Sequence, residues 1–476
     1  MVKLMRWDLL LNNSRRKKQT DKTDLSEMKD RTGIESDYDR ILFSAPIRRL
    51  ADKTQFLPCD THDSVRTRLT HSHEVSNIAR RIGTRLIYNH FEDLKFPASL
   101  DKDSLKRNIP CLLASIGLVH DIGNPPFGHK GEESIQNWFK NKFSDDNDKK
   151  ILNDFIQLDG NAQTFRLVTR LQVLNDDFGL DLTYATLAAM IKYPVFWSHI
   201  NHHDFGNYKK ARIFESEKEI AKEVWKHTGL SEGRRHPLIF VMEACDDIAY
   251  TVIDAEDTIK KGLASFADLE VLVLNEIEHS DVLGQVADMF KRVNRKGLRH
   301  RNKRLNSSEI NDVSMQYFRS YVMEYMIGDI VDIFIENIDA ILETGCLPEQ
   351  ALFKMKPINE LQEALHQFSV YYGYKHNSVL RLELEGANYI SGLMDMLWKG
   401  ICEGEGGAYG KYVFSRLSSN YVRIYAKEVK RHQGKQAGLY YKAQLLVDAI
   451  SGMTERYLMS FHNDLKPLHD AYNSAT

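Results

Sequence analysis

The chain has 476 residues, 42% hydrophobic and 27% charged, with 64 basic against 66 acidic side chains and a formal net charge of −2. That length exceeds one ordinary compact core, so one large body with appended segments or two closely joined lobes both fit. The balanced charge excludes a global field for nucleic acid or an anionic membrane, and leaves such interactions to local clusters.

Residues 1–35 are polar, with Arg15, Arg16, Lys17 and Lys18 in a row. They read as a loosely held basic arm that packs late or on a neighbour. The apolar stretch at its start is too short and interrupted for a signal peptide. From Ile41 the pattern turns helical. Val75, Ile78, Ala79, Ile82 and Leu86 recur at three- and four-residue spacings and form one apolar helix face. Leu112, Leu113, Ile116 and Val119 do the same in the next helix, which Gly123, Pro125 and Pro126 stop. Another helix follows from about His129, with Ile135, Trp138 and Phe139 inward. Residues 144–150 (SDDNDKK) read as a solvated loop. Strand-like alternation is scarce, with a small hairpin near 195–215 as its one candidate. The basic run 291–304 (KRVNRKGLRHRNKR) is broken by Gly297, and 403–410 (EGEGGAYG) reads as a flexible loop. The fold class is therefore mainly α. No stretch approaches the ~20 apolar residues of a membrane span. Five scattered cysteines, Cys59, Cys111, Cys245, Cys346 and Cys402, show no CxxC spacing. They point away from a disulfide framework and toward a reducing compartment, the cytoplasm.

A set of polar residues stands out against this helical pattern. His120-Asp121 ends an apolar helix just before a Gly/Pro turn. His71 opens the preceding helix near its apolar face. Asp246, Tyr250 and Asp254 recur every four residues and so share one face of a helix. Burying carboxylates on an apolar helix is unfavourable unless they are paired or bound to a metal. Two imidazoles and two carboxylates make a mixed nitrogen/oxygen set, suited to Mn, Fe, Co, Ni or Zn and able to accept Mg. His129 and Glu132 lie three apart at a helix start, a spacing that lets a carboxylate orient an imidazole and move a proton.

The segments RTRLTHSHEV, LLASIGLVHDIGNPPFGHKGEESI, DGNAQTFRLV and MEACDDIAYTVIDAED resemble the deoxyguanosine triphosphate triphosphohydrolases (dGTPases) of the HD-domain superfamily. The resemblance covers most of 40–262, with weaker echoes at 381–393 (RLELEGANYISGL) and 448–457 (DAISGMTERY). It implies an HD helical fold in which 36–275 form the hydrolase core. Residues 276–476 would complete the nucleotide pocket and oligomer contacts.

The same resemblance implies that His71, His120, Asp121 and Asp246 hold a divalent metal (Mg, Mn or another transition metal). His129 and Glu132 would be catalytic and Arg68 would contact phosphate. Tyr250 would lie against the sugar, and Gln55 and Asp254 would bind its 3′-hydroxyl. Asn161 and Lys210 are implied triphosphate contacts, and Glu383 would read the base. The activity implied is hydrolysis of dGTP to deoxyguanosine and inorganic triphosphate, by a homo-oligomer, often a hexamer built from dimers.

Some features stand apart from this pattern. Asp247 occupies a position where some eukaryotic relatives carry a phosphate-binding lysine, so other basic residues must serve the triphosphate. Arg416, Arg423 and Arg456 are candidates to complete the pocket. The cluster at 199–203 (HINHH) reads as polar loop, with phosphate contact as its alternative. The run 291–304 admits single-stranded DNA or a regulatory nucleotide, but it lacks the interleaved aromatics that single strands favour. Rival functions are a dNTP triphosphohydrolase of broader specificity activated by a regulatory nucleotide, an HD phosphodiesterase, and a nucleotide- or DNA-binding assembly with a silent HD site.

Overall fold

The computed structural model describes residues 4–17, 31–55, 66–173, 176–197, 213–301, 305–347 and 351–475. Its architecture is mainly α, with twenty-two α-helices among the described residues. The β-structure among them is confined to isolated bridges. The bridge Phe196↔Ile213 is parallel, so it is not the antiparallel hairpin expected near 195–215, whose middle lies outside the described residues.

Helix α1 (Gly33–Leu42) is started by Thr32 and Glu35, whose side chains satisfy each other's backbone N–H groups. The hydrophobic faces anticipated for α2 (Arg68–Asn89) and α3 (Lys102–Val119) are buried as expected, and the two helices lie along one another. Small residues permit the close contact: a Cβ on Gly117 would stand 3.0 Å from Cα of Ser76. The Ser76 hydroxyl crosses this seam to donate to the Ala114 carbonyl at 2.8 Å. Helix α4 (Gly128–Lys142) buries Ile135, Trp138 and Phe139.

The segment 144–150 is exposed but helical, as part of α5 (Asp146–Ile151). The Asp145 carboxylate accepts from the N–H groups of Asn147 and Asp148, enough to start a short helix in a polar sequence. Beyond α6 (Gly160–Thr169) comes α7 (Pro237–Lys260), which packs on α2, α3 and two later helices, at 307–336 and 358–369. Arg66 pairs with Glu74, Glu256 and Asp257, which neutralises much of the carboxylate on the last turns of α7.

Gly297 does not break the basic run. Helix α8 (Ser280–Arg301) continues through it because Val286, Phe290 and Val293 are buried on one side, against α9 (Ser307–Glu336). Then come α10 (Ile358–Ser369), α11 (Asn377–Glu403), α12 (Lys435–Ser451) and α13 (Glu455–Ala475). The loop expected at 403–410 is only a 3₁₀ turn, Gly404–Gly406. A helix resumes at Ala408, and Tyr409 is buried.

The N-terminal arm also differs from expectation in its described part. Met5, Trp7 and Leu10 are buried, and the Trp7 indole donates to the Leu94 carbonyl at 2.8 Å. Its basic run is paired within the chain: Arg15 with Asp37 at 2.7 Å, Arg16 with Glu223 at 3.5 Å, and Lys17 with Asp176 at 2.8 Å. Lys18 lies outside the described residues. One connected apolar core runs from Met5 to Leu465, so the C-terminal helices share the core that supports α2, α3 and α7.

Candidate active site

Three helices bring four polar side chains together. His71 sits in the first turn of α2, His120 caps the end of α3, Asp121 follows it, and Asp246 projects from α7. One potential ligand atom from each of His71, His120 and Asp121 lies within 4.8 Å of the others. Asp246 Oδ1 is 3.1 Å from His71 Nε2 and 3.5 Å from His120 Nε2, and the two rings meet edge-on with centroids 5.4 Å apart. The His120 Nδ1–H donates to the Gly117 carbonyl at 2.7 Å, which fixes the tautomer and turns Nε2 inward. That Nε2 is buried without a hydrogen-bond partner.

The electrostatics of this cluster ask for positive charge. Burial opposes ionisation of His120, Asp121 and Asp246, yet Asp121 and Asp246 together lift the His120 imidazole to about 9. Against the same burial, His120, Arg68 and His71 hold Asp121 down to about 2, and the two imidazoles keep Asp246 well below the usual carboxylate range. A protonated His120 supplies here the positive charge a bound cation would bring, and on losing that proton its Nε2 is free to hold the cation. The residues fit such an ion. Neighbouring ligands around a six-coordinate ion at about 2.1 Å are separated by about 3 Å, close to the 3.1 and 3.5 Å observed. The orphaned His120 Nε2 offers the lone pair such an ion needs.

Arg68, one turn before His71, donates through Nη1 to Asp121 Oδ2 at 2.5 Å, while its buried Nε has no hydrogen-bond partner. It lies over the Gly128 backbone so closely that a Cβ there would stand 2.3 Å from an Arg68 nitrogen. Asn124 orients the other Asp121 oxygen, donating to Oδ1 at 2.7 Å.

The turn 122–127 then folds back and begins α4. Phe127 adopts the left-handed region with φ 63°. His129 Nδ1 stands 3.1 Å from Glu132 Oε2, and Glu132 Oε1 accepts from the Gly160 N–H at 2.7 Å. The His129 side chain is 91% exposed. Its imidazole is raised above its ordinary value, chiefly by the Glu132 hydrogen bond, and it also feels the charges of Arg68 and Asp121.

The other anticipated residues divide. Tyr250 lies one turn beyond Asp246, with its hydroxyl accepting from Gln362 Nε2 at 3.1 Å. The Tyr374 hydroxyl donates to Asp254, and burial pushes the Asp254 carboxyl up to about 7. Gln55 is brought beside the start of α2 by the Thr54↔Thr67 bridge, and its Oε1 is buried without a hydrogen-bond partner. Glu383, on α11, faces Lys130 at the start of α4, and burial raises its carboxyl. Asn161 is held locally: its amide donates to Asp159 Oδ1 at 2.7 Å, one residue from the Gly160 that binds Glu132. Lys210 and the 199–203 cluster lie outside the described residues.

The three C-terminal arginines take other partners. Arg416 lies 3.5 Å from Asp464 and covers the Phe461 ring. Arg423 donates to Asn420 at 3.0 Å. Arg456 lies 3.2 Å from Asp52.

Some contributors escaped the sequence reading. A cavity of about 450 Å³ adjoins Tyr250 and is lined by Lys192, Tyr193, Arg235, Asp247 and Lys354 among others. That volume lies within the ~300–1,000 Å³ usual for small-molecule sites. Lys192 is 3.3 Å from Glu243. A lysine directly after the apolar run TLAAMI was the signal for it; nothing in the local sequence signalled Tyr374 or Gln362.

No family model matches the chain. Among curated proteins, it is 33% identical to a deoxyguanosinetriphosphate triphosphohydrolase-like protein of Listeria monocytogenes, covering 98% of this chain and 100% of that one. It is 31% identical to a deoxyguanosinetriphosphate triphosphohydrolase of Yersinia enterocolitica, over 89% of this chain and 92% of the relative. The chain belongs to the deoxyguanosinetriphosphate triphosphohydrolase family. Membership spans the C-terminal helices as well as the His-Asp cluster, in keeping with the single core they share.

Proposed function

We propose that the chain hydrolyses dGTP to deoxyguanosine and inorganic triphosphate, with a divalent metal, Mg, Mn or another transition metal, held by His71, His120, Asp121 and Asp246. The observation that carries the reading is the convergence of these four side chains on the unpartnered His120 Nε2, beside the His129–Glu132 pair. When bound, the metal supplies a Lewis acid that polarises phosphate oxygen and makes water a better nucleophile.

The side chains account for the rest. Arg68, fixed by Asp121 and with Nε unpaired, is set to neutralise charge on the α-phosphate. Glu132, anchored by the Gly160 N–H, holds His129 Nδ1 and leaves the other ring nitrogen to exchange a proton with water or the leaving oxygen. Lys192 and Lys354 supply charge for the triphosphate from the cavity beside Tyr250, with Asn161 and Lys210 as further contacts. Tyr250 lies against the deoxyribose. Gln55 and Asp254 take its 3′-hydroxyl, and a substrate lacking that group would leave them unpaired. Glu383 reads the base, so guanine selectivity rests on that residue; without it the reading widens to a dNTP triphosphohydrolase.

No helix among the described residues is long and apolar enough to cross a membrane. The reading places the activity in the cytoplasm, in a homo-oligomer. A monomeric mass by light scattering would remove the oligomer, and salt-sensitive retention of single-stranded DNA would restore the DNA-binding rival.

The deciding experiment incubates the protein with each dNTP and with GTP, in Mg or Mn, and identifies the phosphorus product by NMR. Tripolyphosphate with deoxynucleoside, fastest from dGTP, is expected. Pyrophosphate with monophosphate would overturn the reading. Equal rates for all four dNTPs would overturn the dGTP assignment alone.

A further inference from the structure

Lys53 is 2% exposed, yet among the described residues no carboxylate sits within ion-pair distance of its ammonium. It donates to the Asn124 carbonyl at 2.6 Å and to the Ser451 carbonyl at 2.7 Å. Burial, then the nearby Arg68 and Arg49, press it down to about 7. An ammonium buried under such pressure needs its hydrogen bonds, and both go to backbone at places that matter. Asn124 is the residue whose amide orients Asp121. Ser451 ends α12.

Four residues further, Glu455 completes the same junction. It is 3% exposed. Its Oε1 accepts from the Thr54 N–H at 3.0 Å and the Phe127 N–H at 3.2 Å, and its Oε2 accepts from the Thr54 hydroxyl at 2.6 Å. Residues 451–455 of the C-terminal helices therefore touch two stretches of the active-site wall. One is Lys53–Thr54, immediately before Gln55. The other is the turn from Asn124 to Phe127, between Asp121 and His129.

We propose that Lys53 and Glu455 are positioning residues, a clasp by which the C-terminal helices set the turn carrying Asn124 and Phe127 and the stretch carrying Gln55. The clasp touches neither water nor phosphate. It acts through Asn124 on Asp121, through the left-handed Phe127 on the entry to α4 and so on His129, and through Thr54 on Gln55. Within this turn the Asn124 N–H reaches the Asp121 carbonyl and the Gly128 N–H the Pro125 carbonyl, while Gly123 and the left-handed Phe127 send their N–H groups outside it, to the Thr164 hydroxyl and to Glu455. External partners must hold it within the few tenths of an ångström that catalysis requires. The inference deepens the reading given above and rests on it for its kinetic arm.

The test uses the full chain and three variants: Lys53→Met, which keeps the volume and removes the donor; Glu455→Ala; and Glu455→Gln, which keeps an acceptor for the two backbone N–H groups. In Lys53→Met and Glu455→Ala, amide hydrogen exchange across 121–131 should accelerate at least ten-fold, while exchange in the middle of α2 and α7 stays as in the parent. With dGTP, kcat should fall at least ten-fold. Mn affinity should change less than three-fold, because His71, His120 and Asp246 do not touch the clasp and Asp121 keeps its Arg68 partner. Glu455→Gln should recover exchange and kcat to within about three-fold of the parent, a rescue that mere filling of space would not require.

Slow exchange at 121–131 in folded Lys53→Met and Glu455→Ala would overturn the clasp, as would a Glu455→Gln variant no better than Glu455→Ala. If Glu455→Ala does not fold, Thr54→Val removes a single hydroxyl and reads the same exchange, with an acceleration of about three-fold expected and none overturning it. A parent chain that releases no tripolyphosphate would remove the catalytic reading and leave the exchange measurement to decide the clasp.

Discussion

The two halves of the candidate site are built differently. The His71, His120, Asp121 and Asp246 cluster is anchored on three long helices that pack on one another through the main core. The His129–Glu132 pair begins a helix that follows a left-handed turn; its imidazole is 91% exposed, and its carboxylate is held by one N–H from α6. Charge follows the same division. In the cluster, which is largely buried, His120, Asp121 and Asp246 perturb one another, whereas His129 is perturbed mainly by its own carboxylate partner. A preformed, largely buried set of candidate ligands would let an ion bind before substrate. An exposed imidazole can meet substrate, exchange its proton with solvent and recover. Damage to the two halves should therefore be separable.

The sharpest separation comes from Asp246→Ala against His129→Ala. Asp246→Ala removes the carboxylate that lies nearest to both imidazoles, so it should abolish stoichiometric metal binding and lower turnover by roughly 10³-fold or more. His129→Ala should retain one metal per chain while kcat falls by about 10²–10⁴-fold, the usual range for a positioned acid or base. Metal analysis of both variants beside their kinetics decides it. Retained metal in the first, or unchanged turnover in the second, would break the division into two halves.

A subtler variant probes the seam between them. A Cβ on Gly160 would lie 1.9 Å from Asn124 Oδ1 and 3.0 Å from Glu132 Oε1. Gly160→Ala therefore pushes on a side chain from each half, the amide that orients Asp121 and the carboxylate that orients His129. The fold should survive, because the nearest atom is the end of a side chain. We expect kcat to fall about ten-fold, with metal content unchanged, in calorimetric titration and steady-state assays. Parent-like kcat would mean that Asn124 and Glu132 tolerate displacement and that the two halves are not joined there.

This division also explains what the sequence could reveal. The helix faces of α2 and α3 were legible because burial imposes a 3.6-residue period on their apolar residues, and the ligand candidates were legible because a His-Asp pair and four-residue-spaced acids interrupt that period. The short helix at 146–151 was not: only the Asp145 carboxylate, capping two N–H groups, turns that polar run into a helix. The arm 1–35 reads as loosely held because of its run of arginines and lysines. Their carboxylate partners Asp37, Glu223 and Asp176 are far away in sequence. Lys53, Glu455 and Tyr374 belong to the same class. Each acts through a contact with residues distant in the chain, and local spacing carries no trace of such contacts.

The smallest predicted effect concerns stability alone and uses a half-buried acid outside both halves. Asp154 Oδ2 accepts from the Glu215 N–H at 2.8 Å and the Tyr440 hydroxyl at 2.7 Å, where the 3₁₀ turn Glu215–Glu217 meets α12. Burial, aided by the Glu215 and Glu217 charges and against those two hydrogen bonds, raises its carboxyl to about 6. Below about pH 4 the group is protonated folded or unfolded and contributes nothing to the pH dependence. Between about 4 and 6 the unfolded chain ionises first, so the native state loses stability as pH rises, and above 6 the penalty is constant. At 1.36 kcal/mol per pKa unit the ceiling is on the order of 3 kcal/mol. Asp154→Asn keeps an oxygen for both donors and has no proton to lose. Its melting temperature should exceed the parent's by a few degrees at pH 7 and converge with it near pH 4, with dGTP turnover unchanged. A melting difference that does not shrink on acidification would mean that it owes nothing to the titration of Asp154, and a parent that melts above the variant at pH 7 would mean that the carboxylate is ionised in the native state, its charge carried by the Glu215 N–H and the Tyr440 hydroxyl.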